Sequence, residues 1–328
     1  MLAKSNKAPR QVILSITLFG ALLITLLIVP IGKVYGATTH NAWQSGHRTW
    51  HAVVGTASRD QAIQGMAFLP GALWIDAGDT VVWTVGSGEI HTVTFLPPGQ
   101  VPPPFTGTPD QVNRVGGSVY DGKGYFNSGV MTTFPAASGF PHATRTYALT
   151  FAVPGDFIYH CLVHPSMIAV VHVRPAGTPY PFSQEEYNNR IQAGTQAILR
   201  DGQKLTRIAQ SSSSNHNVTL GIGDGLVSVM RFFPQRIVVH AGDTVTFTNR
   251  DVMEPHTVTF GPDPKNDAAR YGNPSAFRGQ PLNSGFIGAF PGTFGPSYTV
   301  RFVRAGTYPF YCALHDYLGM DITIVVLK

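Results

Sequence analysis

Cysteine is scarce in this chain: Cys161 and Cys312 are the only two among 328 residues. A pair of cysteines in an exported protein ordinarily suggests a disulfide. Each of these two, however, is followed by a histidine three residues later and by a methionine shortly after that, a pattern that a disulfide does not require. Zinc is disfavoured because it would need more cysteine or histidine and gains nothing from methionine. The disulfide remains the weaker alternative to two metal sites with soft ligands.

Charged residues are also few, at 12% of the chain, whereas glycine and proline number 35 and 25. Together with recurring runs of valine, threonine and phenylalanine, this composition favours an all-β fold. The formal net charge of +5 arises near the N-terminus, because without Lys4, Lys7, Arg10 and Lys33 the chain has 19 basic and 18 acidic residues. A nearly neutral remainder gives no support for nucleic-acid binding. The length is enough for two domains with full cores.

Residues 11–32 form a hydrophobic run without a single charge, and three basic residues precede it. This arrangement is typical of an export signal oriented by the positive-inside rule. Its apolar length is at the lower limit of about 20 residues for crossing a bilayer. We expect residues 1–36 to be a membrane anchor, or a signal cleaved near Val34-Tyr35-Gly36. The rest of the chain would then lie at the outer face of the cytoplasmic membrane, or be periplasmic or extracellular after cleavage.

The chain contains an internal repeat. Residues 66–80 match residues 230–244, and each copy is followed by an alternating stretch, a loop and the string His-Thr-Val-Thr-Phe, which begins at His91 and at His256. The string Asn-Ser-Gly then recurs at 127–129 and 283–285. Period-two patterns bounded by glycine, proline and aspartate are typical of strands and turns. We therefore predict two β-sandwich domains, residues 37–180 and 215–328.

Residues 181–214 predict a helical linker between the two halves. Ser183 and Glu186 have the spacing of a capping box, which marks the start of a helix. An irregular apolar stripe follows and is interrupted at Gly194 and Gly202. The expected role is that of a strap packed across one or both domains.

The short motif at each cysteine offers a thiolate, an imidazole and a thioether, and an upstream histidine of the same half completes a His2Cys set with methionine. Such a set suits copper, since trigonal His2Cys with a weak axial methionine is the ligand set of type 1 blue copper. We predict one type 1 copper in each half, bound by His91, Cys161, His164 and Met167 in the first and by His256, Cys312, His315 and Met320 in the second.

With these motifs in view, both halves resemble the cupredoxins, the blue-copper family of plastocyanin, amicyanin and azurin. The resemblance covers about residues 50–175 and 215–328. The second half is most similar to plastocyanin in its Cys-to-His-to-Met spacing, and the first is closer to amicyanin, whose loop is shorter. The resemblance implies two Greek-key β-sandwiches in tandem, copper near one pole of each, and outer-sphere electron transfer between a donor and an acceptor redox protein.

Tandem domains of this family also occur in copper nitrite reductases and laccase-like oxidases. The laccase-like enzymes build a trinuclear cluster from His-x-His pairs, and this chain contains none. The nitrite reductases bind a type 2 copper through three histidines, and His160 occupies one of those positions, but no histidine follows His91 within the next strand. An electron carrier is therefore favoured, with an enzyme using an additional type 2 copper as the alternative. We also expect the ring edges of His164 and His315, which lie on loops, to reach the surface.

Overall fold

The computed structural model of the protein describes residues 46–289 and 291–328. The predicted signal or anchor, residues 1–36, lies outside the described residues. Among the helices that the structure describes, none combines the length and the apolar character needed to cross a bilayer. The N-terminal segment therefore stays a prediction.

The predicted all-β fold is confirmed by the described residues of the first half. Side chains along its strands alternate between buried and exposed positions, as strands with one face on a core require. In Thr146–Phe151, for example, Tyr147, Leu149 and Phe151 are buried. The elements are β1 Thr49–Ala57, β2 Ile63–Leu69, β3 Ala72–Asp76, β4 Thr80–Val85, β5 Thr94–Phe95, α1 Pro109–Val112, β6 Val119–Tyr120, β7 Phe126–Asn127, β8 Thr146–Phe151, β9 Gly155–His160 and β10 Ile168–Arg174.

These strands form two facing sheets with the orders β2-β1-β4-β8-β6 and β3-β10-β9-β5-β7. Many neighbouring strands are not consecutive in the chain, as Greek-key connections require. An aromatic core lies between the sheets: the ring centroids of Trp83 on β4 and Tyr159 on β9 are 5.4 Å apart, edge to face. The first half is thus a β-sandwich.

The second half repeats this architecture. Its strands are β11 Asn217–Gly223, β12 Val227–Phe233, β13 Arg236–His240, β14 Thr244–Arg250, β15 Thr259–Phe260, β16 Arg270–Tyr271, β17 Leu282–Ser284, β18 Ser297–Arg301, β19 Gly306–Tyr311 and β20 Asp321–Leu327. Short 3-10 helices occur at Pro274–Ala276 and Asp316–Leu318. The sheets have the orders β12-β11-β14-β18 and β13-β20-β19-β15-β17-β16, and Phe247 on β14 contacts Phe310 on β19 across the core.

The two sandwiches share a sheet. Strand β2 pairs antiparallel with β12, which places Gly65 opposite Val227 and Ile63 opposite Val229. One sheet of each half thereby becomes part of a continuous nine-stranded sheet. The halves are consequently joined by main-chain hydrogen bonds, and they hold each other in a defined register.

The predicted linker helix is confirmed as α2, Gln184–Ser211. It begins at the expected capping box, in which the Ser183 hydroxyl accepts from the Glu186 N–H and the Glu186 carboxylate accepts from the Ser183 N–H. Its buried face packs on strands of both halves, because Ile198 and Ala209 form one core cluster with Ile63 of β2 and with residues of β11 and β12. The helix is therefore a strap across the shared sheet.

The glycine at position 202 permits the close approach of α2 to the shared sheet. A Cβ added at Gly202 would lie 2.3 Å from the Ile63 side chain. The interruption of the apolar stripe is thus a packing feature of the helix.

Candidate metal centres

The first predicted ligand set converges at one end of the first sandwich. His91 ends the loop after β4, and Cys161 directly follows β9. The Nδ1 atoms of His91 and His164 are 3.1 Å apart, and the Cys161 Sγ lies 3.9 Å from the first and 3.6 Å from the second. All three side chains are buried. We call this group centre 1.

The second ligand set has the same geometry. The Nδ1 atoms of His256 and His315 are 3.1 Å apart, and the Cys312 Sγ lies 3.9 Å and 3.6 Å from them. These side chains are buried as well. We call this group centre 2. Both cysteines are free thiols, so the disulfide considered as an alternative is not formed.

The spacing of the donors fits a single metal ion. A point equidistant from three atoms with these separations lies about 2.1 Å from each, which is within the range of metal bonds to imidazole nitrogen and thiolate sulfur, about 2.0–2.3 Å. Two nitrogens and one soft sulfur favour copper among the ions of similar size. The residues present therefore fit a copper ion in each centre.

The methionines of the two motifs, Met167 and Met320, are buried. In the first loop, the Cys161 N–H donates to the Met167 carbonyl at 3.0 Å, and the Met167 N–H donates to the His164 carbonyl at 2.9 Å. In the second loop, the Cys312 N–H donates to the Met320 carbonyl at 3.0 Å. Each methionine is thereby held in the same short loop as the cysteine and histidine.

Main-chain N–H groups donate to both thiol sulfurs. The donor is Thr92 in centre 1, at 3.4 Å from Cys161 Sγ, and Thr257 in centre 2, at 3.3 Å from Cys312 Sγ. Each threonine directly follows the upstream histidine of its centre. The string His-Thr thus supplies one ligand and one hydrogen bond that favours the thiolate form of the cysteine.

A chain of hydrogen bonds ties each histidine strand to the cysteine loop. In centre 1 the Thr92 hydroxyl accepts from the Leu162 N–H and pairs with the Thr94 hydroxyl, which donates to Asn127 Oδ1 at 3.0 Å. The Asn127 amide donates in turn to two main-chain carbonyls.

The same relay recurs in centre 2 through Thr257, Thr259 and Asn283. The asparagine of the repeated Asn-Ser-Gly string therefore stabilises the strand and loop that carry the metal ligands, in addition to the turn in which it lies.

Two glycines that sequence reasoning missed border the upstream histidines. Gly55 and Gly221 have φ of +66° and +73° at irregular positions of β1 and β11, and a Cβ there would lie 2.4 Å from His91 Nε2 and 2.1 Å from His256 Nε2. Only glycine adopts this conformation readily and leaves room for the ring. The recurrence of glycine at matching places in both halves was the signal that could have revealed them.

The expectation that the loop histidines reach the surface is wrong. His164 is 1% exposed and His315 is 4% exposed. The Nε2 of His164 lies 3.0 Å from a carboxylate oxygen of Glu254, and the Nε2 of His315 lies 3.5 Å from one of Glu89. Each glutamate belongs to the opposite half, so the rings point into the interface between the sandwiches.

The upstream histidines are held in their neutral form. Burial lowers the pKa of His91 and of His256 well below the ordinary value, and the neighbouring loop histidine of each centre lowers it further. A neutral imidazole has a free lone pair on nitrogen, which is the form that binds a metal. The Nε2 of His91 is hydrogen-bonded to the Ser87 hydroxyl at 2.8 Å, and this contact orients the ring.

The loop histidines, in contrast, have raised pKa values because anionic groups surround them. Burial acts to lower the pKa of His164, but the Glu254 carboxylate and the Cys161 thiolate outweigh it and raise that pKa well above the ordinary value. For His315, Glu89 and Cys312 outweigh burial and raise the pKa to about 10. Burial likewise opposes ionisation of Cys161, but the contacts with His164 prevail and lower the pKa of the thiol.

The remaining histidine of interest, His160, lies next to Cys161 at the end of β9. It is half-buried, and burial lowers its pKa. Among the residues that the structure describes, close groups of three or more histidine, cysteine and carboxylate side chains occur only at centres 1 and 2. His160 therefore does not converge with other described side chains of this kind.

The comparisons with known proteins agree with one another. Residues 216–327, which include the whole of centre 2, match the family of copper binding proteins described as the plastocyanin/azurin family. Plastocyanin of Vicia faba is 36% identical over 106 residues, which cover 31% of this chain and 91% of that protein. Chloroplastic plastocyanin of Physcomitrium patens is 30% identical over 130 residues, covering 40% and 67%. The solved structure of oxidized plastocyanin from Dryopteris crassirhizoma is 24% identical, covers 34% and 98%, and has a TM-score of 0.24.

Proposed function

This chain belongs to the plastocyanin/azurin family of copper-binding proteins, and we propose that it carries electrons with one type 1 copper in each of its two halves. The resemblance expected from the motifs is thereby confirmed, while the copper count and the role of each ligand belong to the proposal. The ligands of the first copper are His91, Cys161, His164 and Met167. Those of the second are His256, Cys312, His315 and Met320. We assign each set to its own domain, residues 37–180 and 215–328, as the sequence predicts.

The proposal of two coppers is supported by the donor atoms, because the three donors of centre 1 and the three of centre 2 form triangles of the same size. Centre 1 and centre 2 have the same three donor separations to within 0.1 Å, although their cysteine loops differ in length. The family match covers the second half alone. The geometry of centre 1 supports the proposal of a second copper in the first half.

The residues around each centre favour rapid electron transfer. Copper, when bound, supplies a one-electron couple between Cu(I) and Cu(II). The donors are positioned by hydrogen bonds and packing: the Thr92 N–H holds the Cys161 sulfur, and the Thr94–Asn127 relay fixes the strand beside it. Ligands held in this way rearrange little when the charge of the ion changes, and their burial excludes water.

We propose that the donor and the acceptor are other redox proteins and that the chain works outside the cytoplasm. The support for this location is the charge-free run 11–32 with its basic flank, which would attach the protein to the outer face of the cytoplasmic membrane or be removed after export. Because the rings of His164 and His315 are buried, a partner cannot touch them directly. Electrons would therefore pass to a partner through the residues that surround each centre.

Copper counting combined with optical and paramagnetic-resonance spectroscopy tests the proposal. We expect two coppers per chain, both of the blue type. Cys161→Ser and Cys312→Ser should each remove one thiolate-to-copper absorption band and leave the other, and redox titration should resolve two one-electron steps because the two loops differ in length.

One result would replace this proposal with the enzyme alternative. A third copper with a type 2 resonance, lost in His160→Ala and accompanied by nitrite or dioxygen turnover, would identify a reductase or oxidase. One copper per chain would instead limit the proposal to centre 2.

A further inference from the structure

Two buried glutamates stand directly upstream of the two metal centres. Glu89 precedes His91 by two residues, and Glu254 precedes His256 by two residues. Their exposed fractions are 3% and 5%. A buried carboxylate is costly unless a positive or hydrogen-bonding partner compensates it. Both glutamates therefore need a partner within the protein.

Each glutamate contacts the loop histidine of the other half, and Glu89 Oε1 also accepts from the Ile90 N–H at 3.0 Å. Glu254 Oε1 lies 3.0 Å from His164 Nε2 of centre 1, and Glu89 Oε2 lies 3.5 Å from His315 Nε2 of centre 2. Two contacts of the same kind thus cross the interface in opposite directions. Both pairs are buried, so solvent screens the attraction little.

The chemistry of the ring makes this contact relevant to the metal. Nδ1 of His164 faces the other two donors of centre 1, which leaves Nε2 as the nitrogen that carries the proton when Nδ1 binds an ion. Metal-bound histidines commonly place this second N–H against a carboxylate, which fixes the tautomer and the ring orientation and makes the ligand nitrogen more basic. Glu254 places a carboxylate oxygen at ion-pair distance, 3.0 Å, from this second nitrogen of His164.

We infer that Glu254 and Glu89 are positioning residues for the copper histidines of the opposite half, so that neither centre is complete within its own sandwich. This inference deepens the proposed function and rests on it. The upstream histidine of centre 1, His91, finds the hydrogen-bond partner of its Nε2 within its own half, at the Ser87 hydroxyl. The loop histidines, in contrast, contact a carboxylate that only the other half provides. The two sandwiches therefore form one coupled unit.

Single-centre variants allow the inference to be tested in the full chain. Cys312→Ser leaves only centre 1 and Cys161→Ser leaves only centre 2. In the first background, Glu254→Gln should lower the copper affinity of centre 1 by about 10–100-fold, the usual effect of losing such a partner, and raise its midpoint potential. In the second background, the same substitution should change centre 2 much less, because Glu254 contacts His164 and reaches His315 only through its longer-range charge, and Glu89→Gln should show the mirror-image pattern. Glu185→Gln, on the exposed first turn of α2, is the matched control and should affect neither.

These variants distinguish a role of Glu254 at centre 1 from a purely local role in its own loop. If Glu254 only supported the loop on which it lies, its substitution would disturb centre 2 and spare centre 1, and that outcome would overturn the inference. Unchanged affinity and potential at both centres would overturn it as well. Should Glu254→Gln fail to fold, Glu254→Asp keeps the charge but withdraws it by one methylene, and the expected loss at centre 1 is then intermediate.

A copper-free readout keeps failure of the inference distinct from failure of the proposed function. Absence of a blue band in both single-centre parents would reject the proposed function alone. In the copper-free full chain, Glu254→Gln should still shift the ring ¹⁵N resonances of His164, and it should shift them more than those of His315. A change confined to His315 or to neither ring would reject the cross-domain contact.

Discussion

Replacing Gly221 by alanine should disable centre 2 and leave centre 1 intact. A Cβ at this position would lie 2.1 Å from His256 Nε2. Unstrained non-bonded contacts begin near about 3.5 Å, so the ring has to move by roughly 1.4 Å. The donors of each centre surround a point about 2.1 Å away, and a displacement of that size removes His256 from bonding range. We therefore expect loss of the blue absorption of centre 2.

Substitution of a second glycine, Gly107, serves as a control that distinguishes the steric contact with the ring from the effect of backbone strain. Gly107 has φ of +74°, almost the same as the +73° of Gly221, but a Cβ there would meet no atom within 4 Å. Gly107→Ala should therefore lower the free energy of unfolding by only the cost of a left-handed non-glycine residue, about 1–2 kcal/mol. Neither copper centre should change. Gly221→Ala should carry this cost and the loss of the ligand together.

The assay uses the Cys161→Ser background, in which centre 2 alone contributes the thiolate band. Copper content and band intensity report the ligand, and denaturant unfolding of the copper-free protein reports the fold. A Gly221→Ala variant that keeps a full-intensity band at an unchanged potential would refute the reasoning. It would show that His256 either tolerates the methyl group or does not bind the metal.

Three further predictions concern stability. Gly202→Ala should destabilise the protein by about 1–3 kcal/mol despite the better helix propensity of alanine, because the methyl group overlaps Ile63; a higher melting temperature would contradict this. Asn283→Ala should lower the free energy of unfolding by about 1–3 kcal/mol, since the buried Thr259 hydroxyl and two part-buried main-chain carbonyls lose their partner; an unchanged denaturation midpoint would argue against the relay. In the copper-free protein, the raised pKa of His315 contributes stability that is complete below the unfolded value of about 6.5 and is lost as pH rises through about 10. The lowered pKa of His256 has the opposite effect, because it reduces the stability of the protein below a pH of about 6.5. The urea midpoint should therefore be highest near neutral pH. A midpoint that rises steadily up to pH 10 would contradict these shifts.

The sequence by itself determined the features that depend on local spacing. A cysteine followed three residues later by a histidine closes a short loop, so Cys161 and His164 had to lie together. The internal repeat then identified the upstream histidines, because the same five-residue string recurs at His91 and His256. Period-two patterns predicted the strands, and the capping box at Ser183 predicted the start of α2. Apart from the repeat, which compares two distant segments, each of these signals is contained in one short segment of the chain.

Only the tertiary structure decided how the two halves meet. The contacts of Glu254 with His164 and of Glu89 with His315 join residues 90 and 226 positions apart in the chain, and no local pattern relates them. They result from the pairing of β2 with β12, which aligns the two sandwiches and turns both loop histidines inward. The crowding at Gly221 also depends on this level of structure, since a strand irregularity brings its backbone against a ring on another segment. Sequence patterns report which face of an element is apolar, but the choice of the neighbour that covers that face is made by packing.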